Sequence, residues 1–334
     1  MEITRIEQPI KPLLDRYNAT CQELTQSDVR LINDVTQHVL SDRGKQIRPL
    51  LTLFSAACCG LPVDAAPQHP IFRAAAAIEL MHNASLLHDD VIDESALRRG
   101  HTTVNQLWSN KVAVLMGDYY LSHVMRILFD IDNHAVTSLV NQAVIQMCEG
   151  EMLQQQCCGD LDTTIDTYTR IIRQKTAVLL SACCEIGALL TTDDSALQAS
   201  AAQFGLQLGI AFQIRDDLLD LMPSAATGKP QGNDLREGRI TLPLILANKK
   251  NPVCNNISIA TLLQNKLTDH DIQNLINHIA SSGAMEEAVR IQQSYIDNAL
   301  THLHQLPSSP YRDALADLAN QLKTINPITN NVNN

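Results

Sequence analysis

Apolar side chains recur every three to four residues through most of this chain, as in Val112 to Phe129 and Leu206 to Leu221, and no series of alternating apolar and polar positions appears. A period near 3.6 gathers such positions on one helix face, so the pattern predicts helices throughout and an all-α fold. Breaks rich in Gly, Pro, Asn and Asp fall near Gly60-Leu61-Pro62, Asp130 to Asn133, Thr191 to Ser195, Pro223 to Gly238 and Asn251-Pro252. None is long enough for a domain linker, so residues 1–324 are expected to form a single large helical domain. Residues 325–334, rich in Asn and Thr, are expected to fray as a C-terminal tail. No fixed period of repeats emerges.

Composition strengthens the helical reading. Apolar residues make up 45% of the 334 positions, enough to bury a sizeable core, while aromatics are only 4%. The net charge of −11 and the lack of a Lys/Arg run exclude a nucleic-acid surface and a polybasic membrane patch. The longest apolar stretch by eye, Thr176 to Leu190, contains Glu185 and falls short of the ~20 residues a membrane span needs. No signal peptide is apparent after Met1-Glu2-Ile3-Thr4, so a cytoplasmic protein without stable membrane insertion is expected. Nine cysteines include the adjacent pairs Cys58-Cys59, Cys157-Cys158 and Cys183-Cys184 without CxxC spacing, which reads as buried, reduced structural thiols.

The chemistry is carried by a duplicated pattern, Asp89-Asp90-Val91-Ile92-Asp93 and Asp216-Asp217-Leu218-Leu219-Asp220. In a helix, residues i and i+4 share a face, so Asp89 pairs with Asp93 and Asp216 with Asp220. Asp90 and Asp217 lie off those faces, where each either binds metal through water or orients a neighbour. Like-charged carboxylates among Leu, Ile, Val and Phe repel and lose hydration unless a cation compensates them. Mg²⁺ suits hard oxygen ligands, keeps several waters and is usually completed by substrate phosphates, which implies a phosphorylated ligand. One such cluster alone is equally well read as a solvated helix face or a cap.

Further polar residues stand at set places around both clusters. They are Gly44-Lys45-Gln46-Ile47-Arg48-Pro49, then Glu79-Leu80-Met81-His82-Asn83-Ala84-Ser85, then Arg98-Arg99-Gly100. Later come Gly150-Glu151-Met152-Leu153-Gln154, Lys175-Thr176, Phe212-Gln213-Ile214-Arg215 and the Gly228-Lys229-Pro230 to Gly238-Arg239 loop. In order and over about Arg43 to Pro243, this set resembles the trans-type polyprenyl diphosphate synthases, long-chain and octaprenyl diphosphate synthase-like. The mild departure is Arg43-Gly44-Lys45-Gln46, where family members commonly have Gly-Gly-Lys-Arg.

The resemblance implies an all-α isoprenoid synthase fold around a central cavity and a homodimer. It also implies a Mg²⁺-dependent prenyltransferase joining isopentenyl diphosphate to an allylic diphosphate. Two or three Mg²⁺ ions with bound diphosphate are expected on Asp89, Asp93, Asp216 and Asp220. Arg98, Lys175 and Lys229 are placed on the allylic diphosphate, and Lys45, Arg48, His82 and Arg99 on isopentenyl diphosphate. Thr176 and Gln213 orient the diphosphate or the reacting alkene, with Gln154 a weaker candidate. His82 lies seven residues before Asp89 on nearly the same face, whereas His88 is read as structural.

Product length is read from the residues before Asp89. In the resembling family, bulky aromatics four and five positions before the first aspartate stop growth early. Here Ser85 and Ala84 occupy those positions, with Met81 further along the wall, so an open tunnel and an all-trans product near C40 for a quinone side chain are expected. Leu128 and Phe129 are candidates for its floor. Alternatives are a farnesyl or geranylgeranyl diphosphate synthase, a non-catalytic subunit of a two-component synthase, and a terpene cyclase. The second Asp-rich pattern and the Lys45/Arg48 pair argue against a cyclase.

Overall fold

The computed structural model describes residues 3–41, 46–98, 100–222, 231–255, 257–264 and 267–323. Lys45, Arg99, Lys229 and the expected frayed tail lie outside these residues. The principal elements are α1 (Lys11–Leu24), α2 (Arg30–Ser41), α3 (Ile47–Cys58), α4 (Pro70–Ile92), α5 (Asn110–Ile131), α6 (His134–Gln156) and α7 (Ile165–Ile172). They continue with α8 (Val178–Leu189), α9 (Ser195–Asp220), α10 (Leu242–Lys250), α11 (Asp269–Ser281), α12 (Ala284–Leu303) and α13 (Pro310–Leu322). Among the described residues, strands are confined to two antiparallel hairpins, β1 (Leu97–Arg98) with β2 (His101–Thr102) and β3 (Val253–Cys254) with β4 (Ile257–Ser258). The all-α expectation holds, and the predicted breaks at Asp130 to Asn133, Thr191 to Ser195 and Asn251-Pro252 fall at helix ends or between helices.

The chain divides into two compact units. The first takes Met1–Asn141, Ala182–Ala202 and His304–Leu315, the second Gln142–Ser181, Gln203–Leu303 and Ala316–Asn334. Four of the five divisions fall inside α6, α8, α9 and α13, and the fifth follows the last residue of α12.

In the first unit α4 packs along α5. Small residues allow this: Ala74 to Ala77 of α4 are buried, and a Cβ on Gly117 of α5 would stand 2.2 Å from His88 Nε2 of α4. His88 is therefore wedged between helices, with Nε2 3.3 Å from the Val114 carbonyl, in agreement with its structural reading. Leu50, Leu51, Leu53 and Phe54 of α3 are fully buried, as is Leu13 of α1. Each such side chain stabilises the fold by about 1.5–3 kcal/mol relative to exposure. Gly187 of α8 meets α3 backbone to backbone, since a Cβ there would lie 2.3 Å from the Thr52 carbonyl oxygen.

The second unit has its own apolar core, including Tyr168 and Ile172 of α7, Ile210, Ile214 and Leu218 of α9, Leu244 and Leu246 of α10, and Ile272, Leu275 and Ile279 of α11. A wide π-type turn, Arg173–Ala177, joins α7 to α8.

Three expectations need correction. All nine cysteines are free thiols, but Cys148 and Cys158 are exposed, because both lie on polar stretches of α6 and its following turn. Phe129 is 75% exposed, being one residue and about 100° around α5 from buried Leu128, so it cannot close a tunnel within this chain. Finally, α5 is long and apolar enough to cross a bilayer by length and composition, although the sequence reading found no such stretch. Its packing on α4 and buried Ala113, Met116, Tyr120, Val124 and Ile127 make it a core helix of the first unit.

Candidate active site

The first aspartate-rich segment closes α4. Asp89 and Asp90 occupy its last turn and Asp93 caps it, the Asp93 N–H donating to the Asp89 carbonyl at 2.8 Å. That bond preserves the i, i+4 relation, although the helix stops at Ile92 and Glu94 turns to φ 49°. Carboxylates here face the negative pole of the helix, which costs about 0.3–1 kcal/mol each at a surface site. One cation is already in place. Arg98 on β1 holds Asp90, with Nε at 2.8 Å and Nη2 at 2.7 Å from Oδ1. Asp90 is only 5% exposed, whereas Asp89 is half-buried and Asp93 exposed.

The segment that delivers Arg98 is fixed to the helix end. The Ser95 N–H donates to the Asp90 carbonyl at 3.0 Å, and buried Asn105 donates its Nδ2 to the same oxygen at 3.1 Å and to the Ser95 carbonyl at 3.3 Å. Thr103 adds a 2.7 Å bond from its hydroxyl to the Ser95 carbonyl. These donors satisfy carbonyls that a helix C-terminus leaves open. Further back on α4, His82 is half-buried, Ser85 donates its hydroxyl to the His82 carbonyl at 2.9 Å, and Met81 and Ala84 are buried. Arg48 stands half-buried in the first turn of α3.

The second segment closes α9 in the same way, so its carboxylates also meet a negative helix pole. Asp217 is again 5% exposed and taken by protein donors, with Tyr168 OH at 2.6 Å from Oδ2 and Gln213 Nε2 at 2.9 Å from Oδ1. Burial, reinforced by Asp234, pushes its pKa up to about 8, against the hydrogen bonds from Tyr168 and Gln213. Burial and Asp220 push Asp234 up to about 6 while Arg239 opposes them. Asp220 is half-buried and accepts the Asn233 and Asp234 N–H groups, each at 3.1 Å, while Asp216 is exposed.

Lys175 and Thr176 sit in the π-type turn, an arrangement that frequently marks functional sites. Two glycines let neighbouring helices reach them. A Cβ on Gly150 of α6 would lie 2.7 Å from Lys175 N, and one on Gly209 of α9 would lie 2.5 Å from Ala177 Cα. Consequently Lys175 Nζ reaches Glu151 Oε1 at 2.7 Å and Gln154 Oε1 at 3.0 Å, and the Thr176 hydroxyl reaches Gln213 Oε1 at 2.7 Å.

Among the described residues no group of three or more His, Cys, Asp or Glu side chains could hold a metal by itself. Each segment adds two further carboxylates beside the buried Asp90 or Asp217, at a negative helix pole that favours a cation. Hard oxygen donors in that number fit Mg²⁺, which keeps waters and is completed by substrate phosphates.

The polyprenyl synthetase family model matches residues 29–279, a span holding both aspartate-rich segments and Lys175-Thr176. The chain belongs to the polyprenyl synthetase family. As a member it is an enzyme, a trans-type prenyl diphosphate synthase, and its helices follow the all-α isoprenoid synthase fold. It is 33% identical over 320 residues to octaprenyl diphosphate synthase of Escherichia coli (strain K12), covering 96% of this chain and 98% of that one. It is 30% identical over 307 residues to heptaprenyl diphosphate synthase component 2 of Bacillus subtilis (strain 168), covering 92% and 86%. A crystal structure of polyprenyl synthase from Caulobacter crescentus CB15, complexed with calcium and isoprenyl diphosphate, is similar with a TM-score of 0.87. Identity to it is 31%, over 96% of this chain and 97% of that one.

Against this family background, the structure brings Lys175 to Gln154, and Thr176 to Gln213, within the second unit. In the first unit it brings Arg98 to Asp90. Sequence reasoning missed Tyr168, Glu151 and Asn105. Tyr168 reads as one more core aromatic; its only signal is a polar tip seven residues, or two turns, before Lys175.

Proposed function

We propose that this family member is a Mg²⁺-dependent synthase that elongates an allylic diphosphate, farnesyl or similar, with isopentenyl diphosphate to an all-trans product near C40. The reading is carried by one observation. Both aspartate-rich segments end helices, and in both the buried second aspartate is held by protein donors, Asp90 by Arg98 and Asp217 by Tyr168 and Gln213, while the first and fifth positions add hard oxygen donors at the same helix end. Asp89 with Asp93, and Asp216 with Asp220, would hold the two or three Mg²⁺ ions that accompany bound diphosphate. When bound, these ions supply the positive charge that makes diphosphate a competent leaving group.

The chain's residues then act on the substrates. Arg98, Lys175 and Lys229 bind the allylic diphosphate, while Lys45, Arg48, His82 and Arg99 bind that of isopentenyl diphosphate. Arginine offers bidentate contacts and lysine a movable point charge. The allylic C–O bond breaks, the double bond of isopentenyl diphosphate attacks the allyl cation, and loss of a proton restores an alkene. Thr176 and Gln213 orient the reacting groups. The small side chains of Ala84 and Ser85, standing where the family's short-chain members carry bulky aromatics, support a long product. Three large apolar side chains exposed on one side of α5, Leu115, Met125 and Phe129, with Asp118 and Ser122 among them, support a homodimer, and residues 1–324 act as one cytoplasmic domain.

A second reading follows from the Bacillus subtilis relative, whose name makes it one component of a synthase. Incorporation of labelled isopentenyl diphosphate by the purified chain alone, abolished by EDTA and restored by Mg²⁺, is the expected result. Incorporation only after a second protein is added would favour the component reading.

A further inference from the structure

Resting on that reading, we infer that Tyr168 is a positioning residue for prenyl transfer, acting through Asp217 to fix the orientation of the Gln213 amide. Four side chains form a continuous relay: Tyr168 donates to Asp217 at 2.6 Å, Gln213 donates to the other Asp217 oxygen at 2.9 Å, and Thr176 donates to Gln213 Oε1 at 2.7 Å. Each bond in the chain of four has a defined donor and acceptor. With one Asp217 oxygen held by the phenol, the other takes the Gln213 amide nitrogen at 2.9 Å. The amide oxygen is thereby turned to Thr176. One Gln213 N–H and the Thr176 lone pairs are left to meet a ligand.

Tyr168 suits the role of fixed end. It is 3% exposed and packs in the apolar core with Ile172, Ile214, Leu218 and Leu235, so its ring cannot follow the carboxylate if that moves. Its hydroxyl is placed by the ring and reaches Asp217 across 49 positions of sequence. Without it, Asp217 loses a donor on one oxygen and is free to rotate, and the Gln213 amide loses its reason to face one way. Buried polar networks have this all-or-none character.

The test is Tyr168→Phe, which removes one oxygen and keeps the ring. A loss of orientation at a reacting group costs about tenfold to hundredfold in kcat. The expected result is that loss with KM for both diphosphates within about twofold, since no direct substrate contact is removed. In a Gln213→Ala background the same substitution is expected to cost nothing further, because the residue it acts through is gone. An equal proportional loss in both backgrounds, or none in the parent, would overturn the inference. Selective ¹⁵N labelling of glutamine side chains gives a readout free of activity. The Gln213 amide signals, identified by their loss in Gln213→Ala, are expected to shift in Tyr168→Phe; unshifted signals count against the positioning role. Failure of the parent to incorporate isopentenyl diphosphate counts instead against the transferase reading.

Discussion

Substituting Gly209 by alanine tests how closely α9 must approach the Lys175-Thr176 turn. The added Cβ would lie 2.5 Å from Ala177 Cα and 2.8 Å from Ala177 Cβ, whereas carbon atoms prefer about 3.5–4.0 Å. Both partners are held on packed helices, so relief requires α9 to back away by about 1 Å. Alanine favours a helix over glycine by about 1 kcal/mol, but overpacking costs about 1–3 kcal/mol and wins. The net loss, up to about 2 kcal/mol, lowers Tm by up to about 3 °C and leaves the chain folded at assay temperature. The catalytic effect is larger. A retreat of about 1 Å stretches the 2.7 Å Thr176–Gln213 bond beyond hydrogen-bonding range. A misplacement of that size costs about 10²-fold in rate. Initial rates of labelled isopentenyl diphosphate incorporation at saturating substrate, paired with a thermal melt, measure both quantities. A kcat within twofold of the parent at unchanged Tm would refute the close-approach argument.

Other substitutions address the remaining parts of the account. Ala84→Phe or Ser85→Phe is expected to shorten the product, read by chain-length analysis of dephosphorylated products; an unchanged length removes the basis for the open-tunnel reading. Asp220→Asn weakens an acceptor of the Asn233 and Asp234 N–H groups together with a proposed metal ligand, so we expect kcat to fall by about 10² or more with a higher Mg²⁺ requirement. A parental Mg²⁺ titration curve would exclude that role. Iodoacetamide at pH 8 is expected to label Cys148 and Cys158 but spare Cys58 and Cys183 in the native chain, as seen by mass spectrometry. Burial pushes the latter two thiols up to about 12, so almost none of either is thiolate at pH 8.

The fold and half of the site were legible because their determinants are local. Helical periodicity showed α5 and α9, and the spacing of Asp89 with Asp93 and of Asp216 with Asp220 follows from helix geometry alone. Both middle aspartates could be seen to lie off those faces, but their partners could not be named. The Arg98 guanidinium reaches back eight residues only because the β1–β2 hairpin and Asn105 close the turn, and nothing in the residues before it announces that closure. The Asp217 partner, Tyr168, is brought up by the packing of α7 on α9, a tertiary event with no periodic signature. Phe129 failed as a floor residue for a related reason: apolar character predicts burial, but the exposed side of α5 carries large apolar side chains among its polar ones. Exposed Met125 and Leu115 share that side.

The central claim is prenyl transfer with an open tail site, and one incubation addresses it: purified chain, Mg²⁺, farnesyl diphosphate and labelled isopentenyl diphosphate, with chain-length analysis of the dephosphorylated products. The account predicts a ladder ending near eight isoprene units. A stop at three or four units would contradict the open tunnel at Ala84 and Ser85, and no incorporation at all, with or without added partner proteins, would contradict the synthase itself.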